Sequence, residues 1–203
     1  MVFNPIAIAS IIPALIAVVL GILTSVERFG MRSRIFSLFV LTIFVWTAAE
    51  TAILTSQTLS AMNAWLTVQF LAIPTVPVMW LLVVMQYTGR SNFITRRNVI
   101  LLLVMPLITF LLVCTNSWHH LFYSSIGIDT SGPFPLQVLS HGPLYWVHTA
   151  YSYSLVAVSI VLLWQGFLNR HSLYRSQAVI LLLIVLVVIA TNAVYVFGAF
   201  PLA

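Results

Sequence analysis

Long apolar runs separated by short polar segments dominate the chain. Each run is about 18 residues or longer and apolar on all sides, which is enough to cross about 30 Å of hydrocarbon as a helix. The strands of a membrane barrel would instead alternate apolar and polar residues over about ten positions. The pattern therefore predicts membrane helices at residues 6–26, 35–55, 63–88, 98–115, 143–167 and 177–199.

Composition and charge give these helices an orientation. The 203 residues are 62% hydrophobic and 5% charged, with a mean hydropathy of +1.11, whereas soluble domains carry about 25% charged residues. Every basic residue is an arginine, and all eight fall in the segments 27–34, 89–97 and 168–176. The composition therefore predicts an all-α integral membrane protein, and we expect a single domain over residues 1–203, a six-helix transmembrane bundle. Because basic loops stay in the cytoplasm, we expect its N-terminus to lie outside.

Prolines interrupt the third and fourth predicted helices. Pro74 and Pro77 lie inside the third and Pro106 inside the fourth. A proline removes a helical hydrogen bond and kinks the axis, and neighbouring helices can satisfy the freed carbonyl groups. Both a tolerated kink and a hinge in the third helix remain open interpretations.

The outer loop, residues 116–142, carries no arginine and has the pattern of a β-hairpin. Phe122–Ile128 and Phe134–Leu139 are rich in strand-forming residues, and they flank the turn-forming segment Asp129–Pro133. We expect a short extracellular hairpin between the fourth and fifth helices. Aromatic and apolar residues expected at the membrane surface are Trp118, Leu121, Phe122 and Tyr123.

Polar side chains cluster in the outer third of the predicted bundle. Glu50 and His148 lie at similar depths, each about five residues from an outer helix end, and buried ionisable groups are costly in a membrane. They are the predicted anchors of an outward-opening pocket, with the Glu50 carboxyl protonated or paired with a group such as His148. Polar side chains also join membrane helices together, an alternative that applies most to Gln69 and Asn192. The ligand-binding candidates from depth are Glu50, Gln69, Asn116, His148, Tyr151 and Asn192.

Metal binding and catalysis find little support. The histidines match no zinc-ligand spacing, although a metal or haem on His119 and His120 stays open. The chain has three carboxylates, and it shows neither a phosphate-binding loop nor a nucleophile motif. It contains no lysine, which excludes a retinal Schiff base. We expect no cofactor, no metal, no catalytic residue and no nucleic-acid partner.

Several short motifs, in this order and spacing, resemble a known family. The chain is similar to the N-terminal seven-transmembrane sensor region of bacterial and archaeal histidine kinases, and the resemblance covers almost its whole length. The residues that carry it are Trp46–Glu50, Ile73–Trp80, Gln86–Arg90, Thr115–Tyr123, His141–His148 and Tyr151–Tyr153.

The resemblance implies a sensor and not an enzyme. An N-out bundle in a prokaryotic plasma membrane would bind a small-molecule or lipid ligand and drive a cytoplasmic output module or partner kinase. Glu50, Asn116, His120 and His148 fall on recurring polar positions of the family, and with Trp146 they complete the candidate ligand-binding set. Membrane lipids and a second copy of the chain are further candidate partners. The family's seventh helix and output domain have no counterpart in this sequence, so we expect the chain to be a fragment or to act through a partner.

Two rival functions remain. A small transporter or permease would use Glu50 and His148 as a proton or cation relay and would need a polar path continuing inward. The inner half of the predicted bundle carries few polar groups, and the chain shows no internal repeat of the kind found in transporters. A structural anchor subunit would tolerate substitutions at both residues.

Overall fold

The helices of the chain are interrupted by a small antiparallel sheet. The computed structural model describes residues 30–169, together with six helical positions between residues 11 and 19. The helices are α1 (Gly30–Thr55), α2 (Leu59–Ala72), α3 (Val76–Tyr87), α4 (Arg96–Cys114), α5 (Asn116–His119) and α6 (Pro143–Asn169). A 3-10 turn spans Ser91–Phe93, and the strands are β1 (Tyr123–Asp129) and β2 (Leu136–His141).

Four helical segments in the described part are long and apolar enough to cross a membrane. They are Arg34–Thr55, Leu59–Tyr87, Arg96–Cys114 and Pro143–Leu168, and they correspond to the predicted second to fifth helices. Within the first predicted helix, 6–26, the six described positions are helical. The sixth predicted helix, 177–199, lies outside the described residues.

The third predicted helix is two helices. A kink at Pro74 and Pro77 was expected within the predicted span 63–88, and the structure breaks the span there: α2 ends at Ala72 and α3 starts at Val76. Pro74 and Pro77 have no N–H, so the carbonyl groups four residues earlier lose their helical donors. At the break the Thr75 hydroxyl donates to the Leu71 carbonyl at 3.0 Å. By contrast, α4 continues through Pro106.

Helix ends differ from the predicted ones where capping residues decide them. α2 begins at Leu59 instead of 63, because the Thr58 side chain accepts from the Ala61 N–H at 3.3 Å. α4 begins at Arg96 instead of 98 behind the equivalent cap at Thr95. α3 ends at Tyr87, and Gly89 follows two residues later with a φ of 78°, which suits a residue without a Cβ. α1 begins at Gly30 instead of 35, and α6 runs to Asn169 instead of 167.

The predicted hairpin is present, shifted by one or two residues. β1 and β2 pair antiparallel from Tyr123 opposite His141 to Asp129 opposite Leu136. The Asp129 carboxylate accepts from the Ser131 N–H at 2.8 Å and so closes the turn.

Two apolar clusters hold the described helices together. The outer cluster joins α2, the hairpin and the start of α6, and the inner cluster joins α3 to α6. Phe122 is fully buried at 0% exposure in the outer cluster and Tyr123 is buried beside it, so the prediction that they lie at the membrane surface was wrong. Trp118, at 84% exposure, remains outside the core. α1 packs against both α2 and α3.

Candidate functional site

Glu50 and Gln69 form a polar contact between α1 and α2. The Gln69 amide donates from Nε2 to Oε2 of the Glu50 carboxyl. Gln69 is buried at 4% exposure, and Glu50 is partly buried. Both were predicted in the outer third, but the carboxyl contacts this amide and not an imidazole.

His148 makes a second polar contact, between α4 and α6. Its Nδ1 lies 3.4 Å from the hydroxyl oxygen of Thr109, and both residues are buried, at 7% and 1% exposure. Phe70 follows Gln69 on α2, and its ring centroid lies 6.4 Å from that of His148. Phe70 therefore connects the two polar contacts, which we call the polar layer: Glu50, Gln69, Thr109 and His148.

Asn116 holds the outer loop in place by hydrogen bonds, next to the polar layer. Its side-chain amide donates to the Tyr123 carbonyl at 2.9 Å, and its Oδ1 accepts from the N–H groups of Phe122 and Tyr123 at 3.1 and 2.9 Å. Asn116 is buried at 4% exposure. All these hydrogen bonds go to the backbone of the loop, which gives the residue a role in positioning Phe122.

Phe122 is the aromatic roof of the polar layer. Its ring centroid lies 6.1 Å from His148 and 5.2 Å from Phe70. It packs edge-on against Tyr145 of α6 at 5.6 Å, an arrangement that aromatic rings favour. The polar groups of the layer are thus bounded on the outer side by aromatic rings.

A close backbone approach sets the position of this roof. The Gly142 N–H donates to the Phe122 carbonyl at 2.8 Å, and the Leu144 N–H donates to the Leu121 carbonyl at 3.0 Å. A Cβ on Gly142 would lie 2.3 Å from the Leu121 carbonyl oxygen, so only glycine fits.

The remaining predicted site residues are dispersed. The Tyr151 hydroxyl donates to the Leu102 carbonyl at 2.7 Å and so joins α6 to α4. His120 is exposed at the end of α5 with φ of 51°, and Trp146 is 43% exposed. Asn192 lies outside the described residues. Within residues 30–169 and the described N-terminal positions, no three His, Cys, Asp or Glu side chains are placed to hold a metal ion.

Sequence reasoning missed Thr109, Phe70 and Gly142. Thr109 shares a buried face of α4 with Pro106 and Val113, a spacing of three and four residues that marks one helix side. A threonine on that otherwise apolar face was the signal in the sequence that could have indicated a buried polar contact. Gly142 had a weaker one, since it sits between a predicted strand and a proline at a helix start.

A comparison with protein-family models shows to which family the chain is related. A family model described as the N-terminal 7TM region of histidine kinase matches residues 9–203. The chain belongs to this family. Neither the curated proteins nor the solved structures gave a significant match.

Membership in the histidine kinase 7TM family, together with the apolar helices, makes the chain a membrane sensor region. It also associates the chain with a cytoplasmic output module. The matched region is the 7TM part and not a catalytic kinase domain.

Proposed function

We propose that this region binds a ligand from the outer side at the polar layer and passes the signal to a cytoplasmic output module. The carrying observation is that Glu50–Gln69 and His148–Thr109 join different helix pairs and meet around Phe70. In the proposed orientation, a multi-pass bundle in a prokaryotic plasma membrane, this layer lies under the extracellular hairpin.

The chemistry of the layer favours an amphipathic ligand. A carboxyl, an amide, an imidazole and a hydroxyl offer hydrogen-bond donors and acceptors, while Phe70, Phe122 and Tyr145 offer aromatic faces. A small organic molecule or lipid with a polar head and an apolar or cyclic body fits this combination. The alternative is that these polar contacts only join the helices. In that case each contact contributes only about 0.6–2 kcal/mol to helix association.

The break between α2 and α3 is the proposed moving element. α2 carries the outer contacts, since Gln69 bonds Glu50 and Asn63 accepts from Gln137 of the hairpin at 2.8 Å. α3 carries the inner contacts, because it packs along α6, and in the loop after α3 Arg90 donates to Gln165 of α6. A ligand that binds one arrangement of α2 more tightly than another would shift the population between them.

Glu50→Gln separates ligand binding from helix joining. The amide keeps the size of the side chain and an oxygen that accepts from Gln69, so we expect the fold to persist. Native mass spectrometry of the detergent-purified chain should show a co-purifying mass in the wild-type protein. That mass should be reduced at least about tenfold in Glu50→Gln, which corresponds to roughly 1.4 kcal/mol of lost affinity.

Ser159→Ala is the matched control for this measurement. Ser159 is fully buried in α6, but its hydroxyl donates to Leu155 of its own helix at 2.9 Å, deeper than the polar layer. The control should retain the bound mass. A bound mass of equal abundance in wild type, Glu50→Gln and His148→Ala would contradict the proposed site and favour a helix-joining role for the layer.

A further inference from the structure

The His119 ring connects α4 to the loop that carries the aromatic roof. The Leu121 N–H donates to Nδ1 of His119 at 2.9 Å, and Nε2 lies 3.1 Å from the Thr115 hydroxyl oxygen. An imidazole nitrogen accepts a hydrogen bond only when it carries no proton. Nδ1 is therefore unprotonated, and Nε2 carries the hydrogen and donates to Thr115, whose own hydroxyl donates to Leu111 at 2.8 Å.

The turn that this ring closes leads directly into the buried core. Leu121, which donates to the ring, also accepts from Leu144 at the start of α6. The next residue is Phe122, fully buried and packed against His148. A protonated His119 could no longer accept from Leu121, and an N–H group would face an N–H group across the turn.

We propose that protonation of His119 from the outer solution opens the turn at Leu121, so that external acidity is a stimulus this sensor region reads. The inference rests on the proposed outward orientation, and it adds a proton-dependent regulation to the proposed ligand site.

The outer loop, residues 116–142, carries one carboxylate that could compete for a proton. Asp129, the acidic residue of the hairpin, bonds the Ser131 N–H of its own turn. The other titratable groups on the elements packed against this turn are Arg96, Arg97 and Cys114 of α4, His120 directly after α5, Tyr123 and His141 of the hairpin, and Tyr145, His148, Tyr151 and Tyr153 of α6.

His141 adds a second pH-sensitive contact in the same direction. Its ring stacks on Tyr145 with centroids 3.8 Å apart and planes 20° apart. Burial lowers the pKa of His141 below its usual range, because the charged form loses hydration. The stack of neutral His141 on Tyr145 therefore stabilises the fold fully above the ordinary histidine pKa, and this stabilisation is lost as the pH falls.

Hydrogen exchange of the full 203-residue chain in lipid nanodiscs tests the proposal. Amide exchange of Leu121, Phe122 and Tyr123 is measured at about pH 7.5 and about pH 5 and corrected for intrinsic chemistry. We expect protection to fall at least about tenfold in acid for the wild-type chain. His119→Asn should lose most of this acid response and keep only the smaller part that His141 contributes, because the asparagine oxygen can replace Nδ1 as acceptor and does not titrate.

His120→Asn is the matched control. His120 is exposed with φ of 51°, a conformation that asparagine adopts readily, so this variant should respond like the wild type. Equal protection of the wild type at both pH values would overturn the proposal. An acid response of unchanged size in His119→Asn would also overturn it.

A tautomer measurement keeps the proposal testable if His119→Asn fails to fold. Nitrogen-15 spectra of the wild-type chain should show the Nε2–H tautomer at His119 at neutral pH, and an Nδ1–H tautomer would overturn the proposal. Hydrogen exchange and the tautomer spectrum both report on the turn at Leu121 and not on ligand binding. A pH-insensitive turn leaves the Glu50 site standing, while loss of that site leaves the acid response intact.

Discussion

Asn116→Ala is expected to lower the stability of the purified chain more than any other single side-chain truncation in the outer loop. The change removes hydrogen bonds to the N–H groups of Phe122 and Tyr123 and to the Tyr123 carbonyl. These groups are buried, and each buried polar group left without a partner costs about 1–3 kcal/mol. We therefore expect a loss of about 3 kcal/mol or more in the free energy of unfolding.

Thermal unfolding in detergent measures this loss. For a chain of this size, about 3 kcal/mol corresponds to a decrease in Tm of roughly 6–12 °C. Asn98→Ala is the matched control, because Asn98 also bonds a backbone carbonyl, that of Phe93, but is exposed to solvent. The control should change stability by less than about 0.5 kcal/mol. Equal Tm values for Asn116→Ala and Asn98→Ala would show that the Asn116 hydrogen bonds do not hold the loop.

Gly142→Ala is expected to displace the loop from the bundle. The added Cβ would lie 2.3 Å from the carbonyl oxygen and 2.7 Å from the carbonyl carbon of Leu121. Backbone atoms cannot rotate away as a side chain can, so the hydrogen bonds from Gly142 and Leu144 to this segment must lengthen. Overpacking of this kind typically costs about 1–3 kcal/mol, and the lost backbone contacts place the expected effect near the upper end.

Gly127→Ala separates this clash from a general intolerance of alanine in the hairpin. A Cβ on Gly127 meets nothing within 4 Å, and its φ is not positive. We expect its stability to stay within about 0.5–1 kcal/mol of the wild type, with a slight gain from the reduced backbone entropy of the unfolded chain. If both glycine variants unfold at the same temperature, the close approach at Leu121 does not constrain the structure.

The length of the apolar runs was sufficient to predict the four long described helical segments, because a continuous apolar run of this length has few other stable structures. The residues around Asp129 likewise indicated a turn between two strand-forming segments, and the hairpin is there. Helix ends were less accurate, since they depend on single capping side chains. The Thr58 side chain accepts a hydrogen bond from the Ala61 N–H, and α2 therefore starts four residues before the predicted start. The apolar pattern cannot indicate that hydrogen bond.

The polar residues of the site could be predicted individually, but their contacts could not. Counting residues from helix ends placed Glu50 and His148 at similar depth, although depth says nothing about rotation around each helix axis. The structure pairs Glu50 with Gln69 on the next helix along the chain and pairs His148 with Thr109. Asn116 was predicted to bind a ligand. Its backbone hydrogen bonds depend on the path of the loop, which no helical pattern encodes.

Cysteine labelling in intact cells tests most directly whether this sensor region faces outward. Single cysteines replace Ser131 at the hairpin tip and Ser91 in the opposite loop, both exposed, after the free Cys114 is changed to alanine. A membrane-impermeant maleimide should label Ser131→Cys in intact cells and Ser91→Cys only after permeabilisation, with Cys114→Ala alone as the unlabelled control. Labelling of Ser91→Cys in intact cells, with Ser131→Cys protected until permeabilisation, would place the hairpin in the cytoplasm and contradict the account.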